Sequence, residues 1–145
     1  MHTTREYIDL LVREFWKRGF SIEYRKFGKY LPNPPLVGSF HVDIIAKKNR
    51  DYAIGIFVSD SDISDMGFFN RINYLSSRIS KFNKKNVELM IGVSFENYKA
   101  VKELLNSMDF LSRPNLNLII LQENEVDLFS AASQKQSNYT YIPFN

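Results

Sequence analysis

Two sets of side chains in this chain have the types and spacing to do chemistry. The first is acidic. Asp43 lies in a β-rich stretch, GSFHVDIIAKKNRDYAIGIFVS, two residues after His41. Side chains alternate faces along a strand, so His41 and Asp43 are expected on one face. If Lys47 pairs with Asp51 around a three-residue loop, Asp43 lies opposite Gly55, and Gly55, Phe57 and Ser59 share its face. A carboxylate on an inner strand is costly to bury unless a metal ion, a base or hydrogen-bond donors meet it. Asp43 is therefore either a metal ligand or a satisfied structural acid. Asp60, Asp62 and Asp65 follow in a short acidic stretch. Asp60 or Asp62 could supply a second carboxylate, with Arg71 or Lys81 as a cation from the following helix. Strand parity points Asp60 away from Asp43 unless a bulge intervenes. Acids before a helix also complement its dipole, and Asp65 can cap. They do not form a calcium loop, because the glycine and the closing glutamate are missing.

The second set is basic. Arg71, Tyr74, Arg78, Lys81 and Lys85 recur at three- and four-residue spacing, which makes one stripe on a helix. Cations with an aromatic ring suit a phosphate backbone and some stacking. Lys47, Lys48 and Arg50 add charge between two strand-like runs. Arg25, Lys26, Lys29, Tyr30 and Asn33, in or beside a proline-rich loop, could reach into a groove. An ordinary solvated face is the alternative for the whole set.

The elements that must position these residues follow from periodicity. Ile8, Leu11, Val12, Phe15 and Trp16 make one apolar helical face. Thr3 and Glu6 form a capping box, and Gly19 ends the helix. A strand is expected over 20–24, a loop with three prolines over 27–39, and an antiparallel hairpin from strands at 40–46 and 52–58. A long helix follows the acidic stretch to about residue 83, with Phe68, Ile72, Leu75, Ile79 and Phe82 inward. A buried strand over 87–93 precedes a helix over 96–108 with Tyr98, Val101, Leu105 and Met108 inward. A second buried strand covers 116–121. A short helix over 126–132 and an edge strand over 139–144 complete the reading. Antiparallel early strands and helical crossovers later make a mixed central β-sheet flanked by helices, an α/β class. The chain reads as a single domain over 1–145, with its core at about 3–122 and a C-terminal extension at about 123–145.

Composition excludes several function classes. The 145 residues are 44% hydrophobic and 14% aromatic, too apolar for a disordered chain. No apolar run reaches about 18 residues, and MHTTREY is no secretory leader, so an intracellular protein without a membrane span is expected. Cysteine is absent and only His2 and His41 occur, which removes thiolate sites, disulfides and histidine clusters. No P-loop, Rossmann or G-x-S-x-G pattern is present. Charge is segregated. Residues 1–50 carry ten Lys/Arg against five Asp/Glu, 51–70 carry four acids and no base, and 71–113 carry eight bases against four acids. An acidic segment between two basic ones suits a polyanion-binding surface with a metal-binding patch.

REYIDLLVREFWKRGFSIEYR, followed by the hairpin sequence above and by the later helix-strand-helix-strand, resembles the restriction-endonuclease-like (PD-(D/E)xK) nuclease superfamily. Within it the likeness is greatest to the Holliday-junction resolvase branch. The resemblance spans roughly 3–122. It implies a helix glutamate, matched by Glu6, and a strand aspartate, matched by Asp43. It implies Mg²⁺ or Mn²⁺ as cofactor, with the ion activating water and stabilising the leaving oxygen. It also implies DNA as partner and a homodimer. The E-x-K positions fall on Gly55 and Phe57, which can neither ligate a metal through a side chain nor carry charge. The leading expectation is a nuclease-fold nucleic-acid-binding protein that has lost its catalytic site and needs no cofactor. Its binding residues would be Lys47, Lys48, Arg50, Arg71, Tyr74, Arg78, Lys81 and Lys85. An active Mg²⁺- or Mn²⁺-dependent endonuclease with a migrated site, ligated by Asp43 and Asp60, is the second expectation. A protein-interaction module that reuses the fold is the third.

Overall fold

Thr3 starts the first helix, α1 (Thr4–Lys17), with the expected capping box: its hydroxyl accepts the Glu6 amide, and the Glu6 carboxylate accepts the Thr3 amide. Gly19 follows at φ 86°, a conformation that glycine adopts without a Cβ clash. Ile8, Leu11, Val12 and Phe15 are buried, whereas Trp16, expected on the same face, is 61% exposed at the end of the stripe. The computed structural model describes residues 2–123. The expected helix over 126–132 and edge strand over 139–144 lie outside the described residues.

Five strands form one sheet in chain order: β1 (Ser21–Arg25), β2 (Ile44–Lys48), β3 (Asp51–Phe57), β4 (Glu88–Val93) and β5 (Leu116–Ile120). β1, β2 and β3 are mutually antiparallel neighbours, and β3, β4 and β5 run parallel. The domain is thus a mixed α/β sheet flanked by helices, as its sequence pattern implies. α1 covers one face, where Phe15 and Leu11 meet Ile44, Ala46, Ala53, Phe57 and Met90. The other face is covered by α3 (Phe68–Ser76) and α4 (Phe95–Ser107), whose Phe68, Ile72, Leu75, Val101 and Leu105 pack on Ile54, Ile56, Leu89 and Ile91. No described helix is long and apolar enough to cross a membrane.

Two departures from the sequence pattern decide where the chemistry can sit. The first is the hairpin. Lys48 pairs with Asp51 and Lys47 with Tyr52, so the loop has two residues rather than three, with Asn49 at φ 58°. Side chains repeat every two residues along a strand, so a one-residue slip moves residues to the opposite face. Ile44, not Asp43, is the partner of Gly55. A Cβ on Gly55 would lie 2.6 Å from the Phe15 ring, so the absence of a side chain lets α1 approach the sheet. β2 also begins at Ile44, later than the expected 40.

The second departure is the long helix. It is split into a single turn, α2 (Asp60–Ile63), and the shorter α3. Ser59 caps α2, and α3 has Gly67 rather than the expected Asp65 at its N-cap, with Asp65 accepting the Gly67 amide. α3 stops at Ser76 because side chains take over its last carbonyls. The hydroxyls of Ser76 and Ser77 donate to Ile72 and Asn73, the Arg78 Nε donates to the Tyr74 carbonyl, and the Asn115 amide donates to Ser76. Serines that bond back in this way compete with helix continuation. Ile79 and Phe82, expected inward, are exposed, and so is Met108 just beyond α4.

Candidate functional site

Asp43 sits where β2 begins, beside the carboxyl end of β3, and is only 6% exposed. Its backbone is tied on both sides: its amide donates to the Gly55 carbonyl at 3.0 Å, and its carbonyl accepts the Lys26 amide at 2.9 Å. The side chain is equally committed. Oδ2 accepts the Phe57 amide at 2.7 Å, and the Lys26 ammonium stands 3.3 Å from Oδ1. A cleft of about 430 Å³ opens over this group, walled by His41, Asp43, Phe57, Asp62, Asp65 and Arg71 among others. Most of its polar groups are engaged within the fold, although the buried Arg71 Nε has no hydrogen-bond partner among the described residues. Asp62 Oδ2 accepts the amide and hydroxyl of Ser59, and Oδ1 lies 3.6 Å from Arg71. Arg71 also donates from Nη2 to the His41 carbonyl at 2.9 Å. Asp65 accepts the Gly67 amide.

Asp60 faces the other way, accepting a hydrogen bond from the Asn97 side chain at the start of α4. It borders a second, larger cleft of about 980 Å³, with Tyr7, Ser94, Phe95 and Asn97. Tyr7 stacks on Phe57 at 4.6 Å between ring centroids. Burial raises the Tyr7 phenol above its ordinary pKa, and Glu96 adds to the shift. Glu6 stays in its capping box, exposed to solvent. The Thr3 backbone hydrogen bond lowers its carboxyl pKa below the ordinary value.

The positions at which the resemblance places a second carboxylate and a lysine supply no metal ligand beside Asp43. Gly55 offers no ligand and packs under Phe15, and Phe57 is buried against Tyr7. Among the described residues no three His, Asp or Glu side chains converge as a metal-binding group. Hard divalent ions rely on carboxylates that are free to ligate. At Asp43 the compensating positive charge comes instead from Lys26.

The opposite end of the sheet is built differently. After α3 the chain turns back through an Ile79–Asn86 bridge. The Ser80 amide donates to the Lys85 carbonyl at 2.8 Å, the Lys84 amide to Ser80 at 3.0 Å, and the Val87 amide to Arg78 at 2.8 Å. This loop docks on the β2–β3 turn through Asn83, whose amide reaches the Arg50 carbonyl and the Asp51 carboxylate. Phe82 stacks on Tyr52, and the Lys47 ammonium lies over the Tyr52 ring. Residues 47–52 and 81–86 together hold six cations, Lys47, Lys48, Arg50, Lys81, Lys84 and Lys85, against one acid, Asp51. No family model, curated protein or solved structure matches this chain.

The expected helix stripe is therefore divided between the two ends. Arg71 is held in the Asp43 cleft. Tyr74 packs on Phe40 under the proline-rich loop, and Arg78 stacks on its ring at 3.7 Å. Lys81 and Lys85 belong to the turn-back loop, where they join Lys47 and Arg50. Lys48 is spent locally: its ammonium caps α1 at the Arg18 carbonyl, 2.9 Å away. In the proline-rich loop and its approach, Arg25 pairs with Asp9, Lys26 with Asp43, and Lys29 lies over Tyr30. Sequence reasoning missed Phe82, Tyr52, Asn83 and Lys84 as members of one surface. The signal for a loop was present in Ser76, Ser77 and Ser80, but the docking of that loop on the hairpin is a long-range contact.

Proposed function

We propose that this chain is a nucleic-acid-binding protein on a restriction-endonuclease-like scaffold that has lost its metal site. DNA is the favoured partner and the setting is intracellular. The reading rests on one observation above others, the cluster of Lys47, Arg50, Lys81, Lys84 and Lys85 with an exposed aromatic ring where the 81–86 loop meets the hairpin turn. Arg50, Lys81 and Lys84 form no ion pair among the described residues, and all three are exposed, so their charge is free to meet phosphates. A polyanion that displaces its counterions onto such a cluster gains entropy, and affinity then falls steeply with salt. Support for the scaffold comes from the mixed sheet, with Asp43 at the head of its second strand. Support for the lost metal site comes from Gly55, Phe57 and the Lys26–Asp43 pair.

The test is fluorescence anisotropy with labelled DNA at 50 and 200 mM salt. If about four phosphates are contacted, affinity is expected to fall roughly 100-fold between the two. The triple variant Arg50→Ala, Lys81→Ala, Lys85→Ala is expected to weaken binding and flatten the salt slope. A flat salt response in the unaltered protein would overturn the reading. Incubation with Mg²⁺ or Mn²⁺ is expected to leave the DNA uncut. Metal-dependent cutting that Asp43→Ala abolishes would replace binding alone with endonuclease action.

A further inference from the structure

Phe82 is 76% exposed, although its ring is the largest apolar group on its loop. The loop does not leave it there by slack. The Ser80 hydroxyl accepts the Phe82 amide at 3.2 Å, the Asn83 side chain accepts the Lys85 amide at 3.0 Å, and Asn83 anchors the loop to the hairpin. Lys84 is held at φ 60°, a left-handed conformation that a lysine enters at a cost. The ring is backed by Tyr52, with centroids 6.2 Å apart and planes within 24°. Lys81, Lys84 and Lys85 flank it in the chain, Lys47 lies over the same Tyr52 ring, and the Arg50 carbonyl holds the neighbouring Asn83.

From this arrangement we infer that the nucleic acid bound here is single-stranded, with an unpaired base stacking on the open face of Phe82 while the surrounding cations hold the adjoining phosphates. The inference rests on the nucleic-acid-binding reading above and narrows it. A duplex hides the faces of its bases within its own stack, so an aromatic platform adds nothing to duplex affinity away from the ends. Base-to-aromatic stacking is sequence-tolerant, because every base has a π-face. The cations alone would serve a duplex equally well, so Phe82 is the discriminating residue.

The experiment uses fluorescein-labelled dT15, rU15 and a blunt 15-base-pair duplex at fixed salt, with unaltered protein, Phe82→Ala, Phe82→Trp and the Lys81→Ala, Lys85→Ala pair. The unaltered protein is expected to bind dT15 or rU15 at least tenfold more tightly than the duplex. Phe82→Ala is expected to cost roughly tenfold or more on the single strand and less than twofold on the duplex. Phe82→Trp restores or exceeds the original affinity, and the lysine pair weakens all three ligands. Equal affinity for single strand and duplex, or indifference of dT15 and rU15 to Phe82→Ala, would overturn the single-strand inference. In that case loss of duplex affinity in the lysine pair would still support the broader reading. Failure of the folded protein to bind any of the three ligands would overturn both. Phe82 is exposed, so a circular-dichroism melt is expected to show the variants folded.

Discussion

The two ends of this sheet carry similar kinds of side chain and use them in opposite ways. At the carboxyl end of β3, charges are turned inward on one another: Asp43 on Lys26 and the Phe57 amide, Asp62 on Ser59 and Arg71, Arg71 on the His41 carbonyl. At the hairpin end, the backbone is tied down by hydrogen bonds while Arg50, Lys81, Lys84 and the Phe82 ring project into solvent. The first arrangement spends its functional groups on holding β2, β3 and the proline-rich loop together. The second spends backbone bonds to hold functional groups apart. A surface that recruits a polyanion needs the second kind, because a cation already satisfied by a neighbouring carboxylate has little to gain from a phosphate.

Substitutions that move the ends toward each other should break this contrast, and their effects on stability can be ordered. The largest belongs to Gly55→Glu, which puts a carboxylate where the E-x-K pattern has one. Its Cβ would overlap Phe15, and its charge would enter the interface under α1. We expect loss of the cooperative melt, with Gly55→Ala alone costing about 2–3 kcal/mol in a denaturant titration. A stable Gly55→Glu protein would show that the end near Asp43 is not closed to a metal site by packing.

Asp43→Ala comes next. It leaves the Phe57 amide without its partner in a buried position and removes the counter-charge of Lys26, at a cost of about 2 kcal/mol. Asp43→Asn keeps an acceptor for the amide and should cost less. Neither should change nucleic-acid affinity, since Asp43 is at the other end of β3. A binding defect in folded Asp43→Asn would mean that the two ends act together.

A smaller effect is expected at α1. Thr3→Ala removes the N-cap and should cost about 1 kcal/mol. Acid should weaken the same helix. The Glu6 carboxyl is lowered by the Thr3 backbone hydrogen bond. For Glu14, burial opposes the shift, but hydrogen bonds from Arg18 and Lys17 prevail and lower it. Folded-state pKa values below the ordinary 4.5 stabilise the fold above that pH, and the contribution is lost as pH falls through them. Thermal midpoints should therefore drop on acidification below about pH 4.5, and less so in a Glu6→Gln, Glu14→Gln double variant.

The smallest effect on stability should come from the hairpin end. The Arg50→Ala, Lys81→Ala, Lys85→Ala variant is expected to stay within about 0.5 kcal/mol of the unaltered protein, because exposed pairs such as Lys85–Asp51 at 3.9 Å contribute little. A larger loss would show that these cations, too, serve the fold.

Local order was legible wherever neighbours in sequence were neighbours in space. The Thr3–Glu6 capping box, the stop at Gly19 and the apolar runs of β4 and β5 each rest on contacts a few residues apart or on a simple period. Misplacement began where a local pattern admitted two outcomes. The Phe68–Phe82 apolar spacing suits one long helix, but Ser76 and Ser77 bond back to its carbonyls, and Asn115 arrives from far along the chain to cap it. The hairpin admits a two- or a three-residue loop, and the pairing of Lys48 with Asp51 moves Gly55 from the expected partner of Asp43 to that of Ile44.

By itself, then, the sequence determined the α/β class, the chain order of helices and strands, and a segregated charge pattern, because propensity, capping and periodicity act over a few residues. Tertiary structure alone decided which charges are used up and which remain free. Lys26 and Asp43 are 17 positions apart, and Asn83 and Asp51 are 32 apart. Such pairs are chosen by register and by the path of loops, and both are fixed only when the whole sheet is packed.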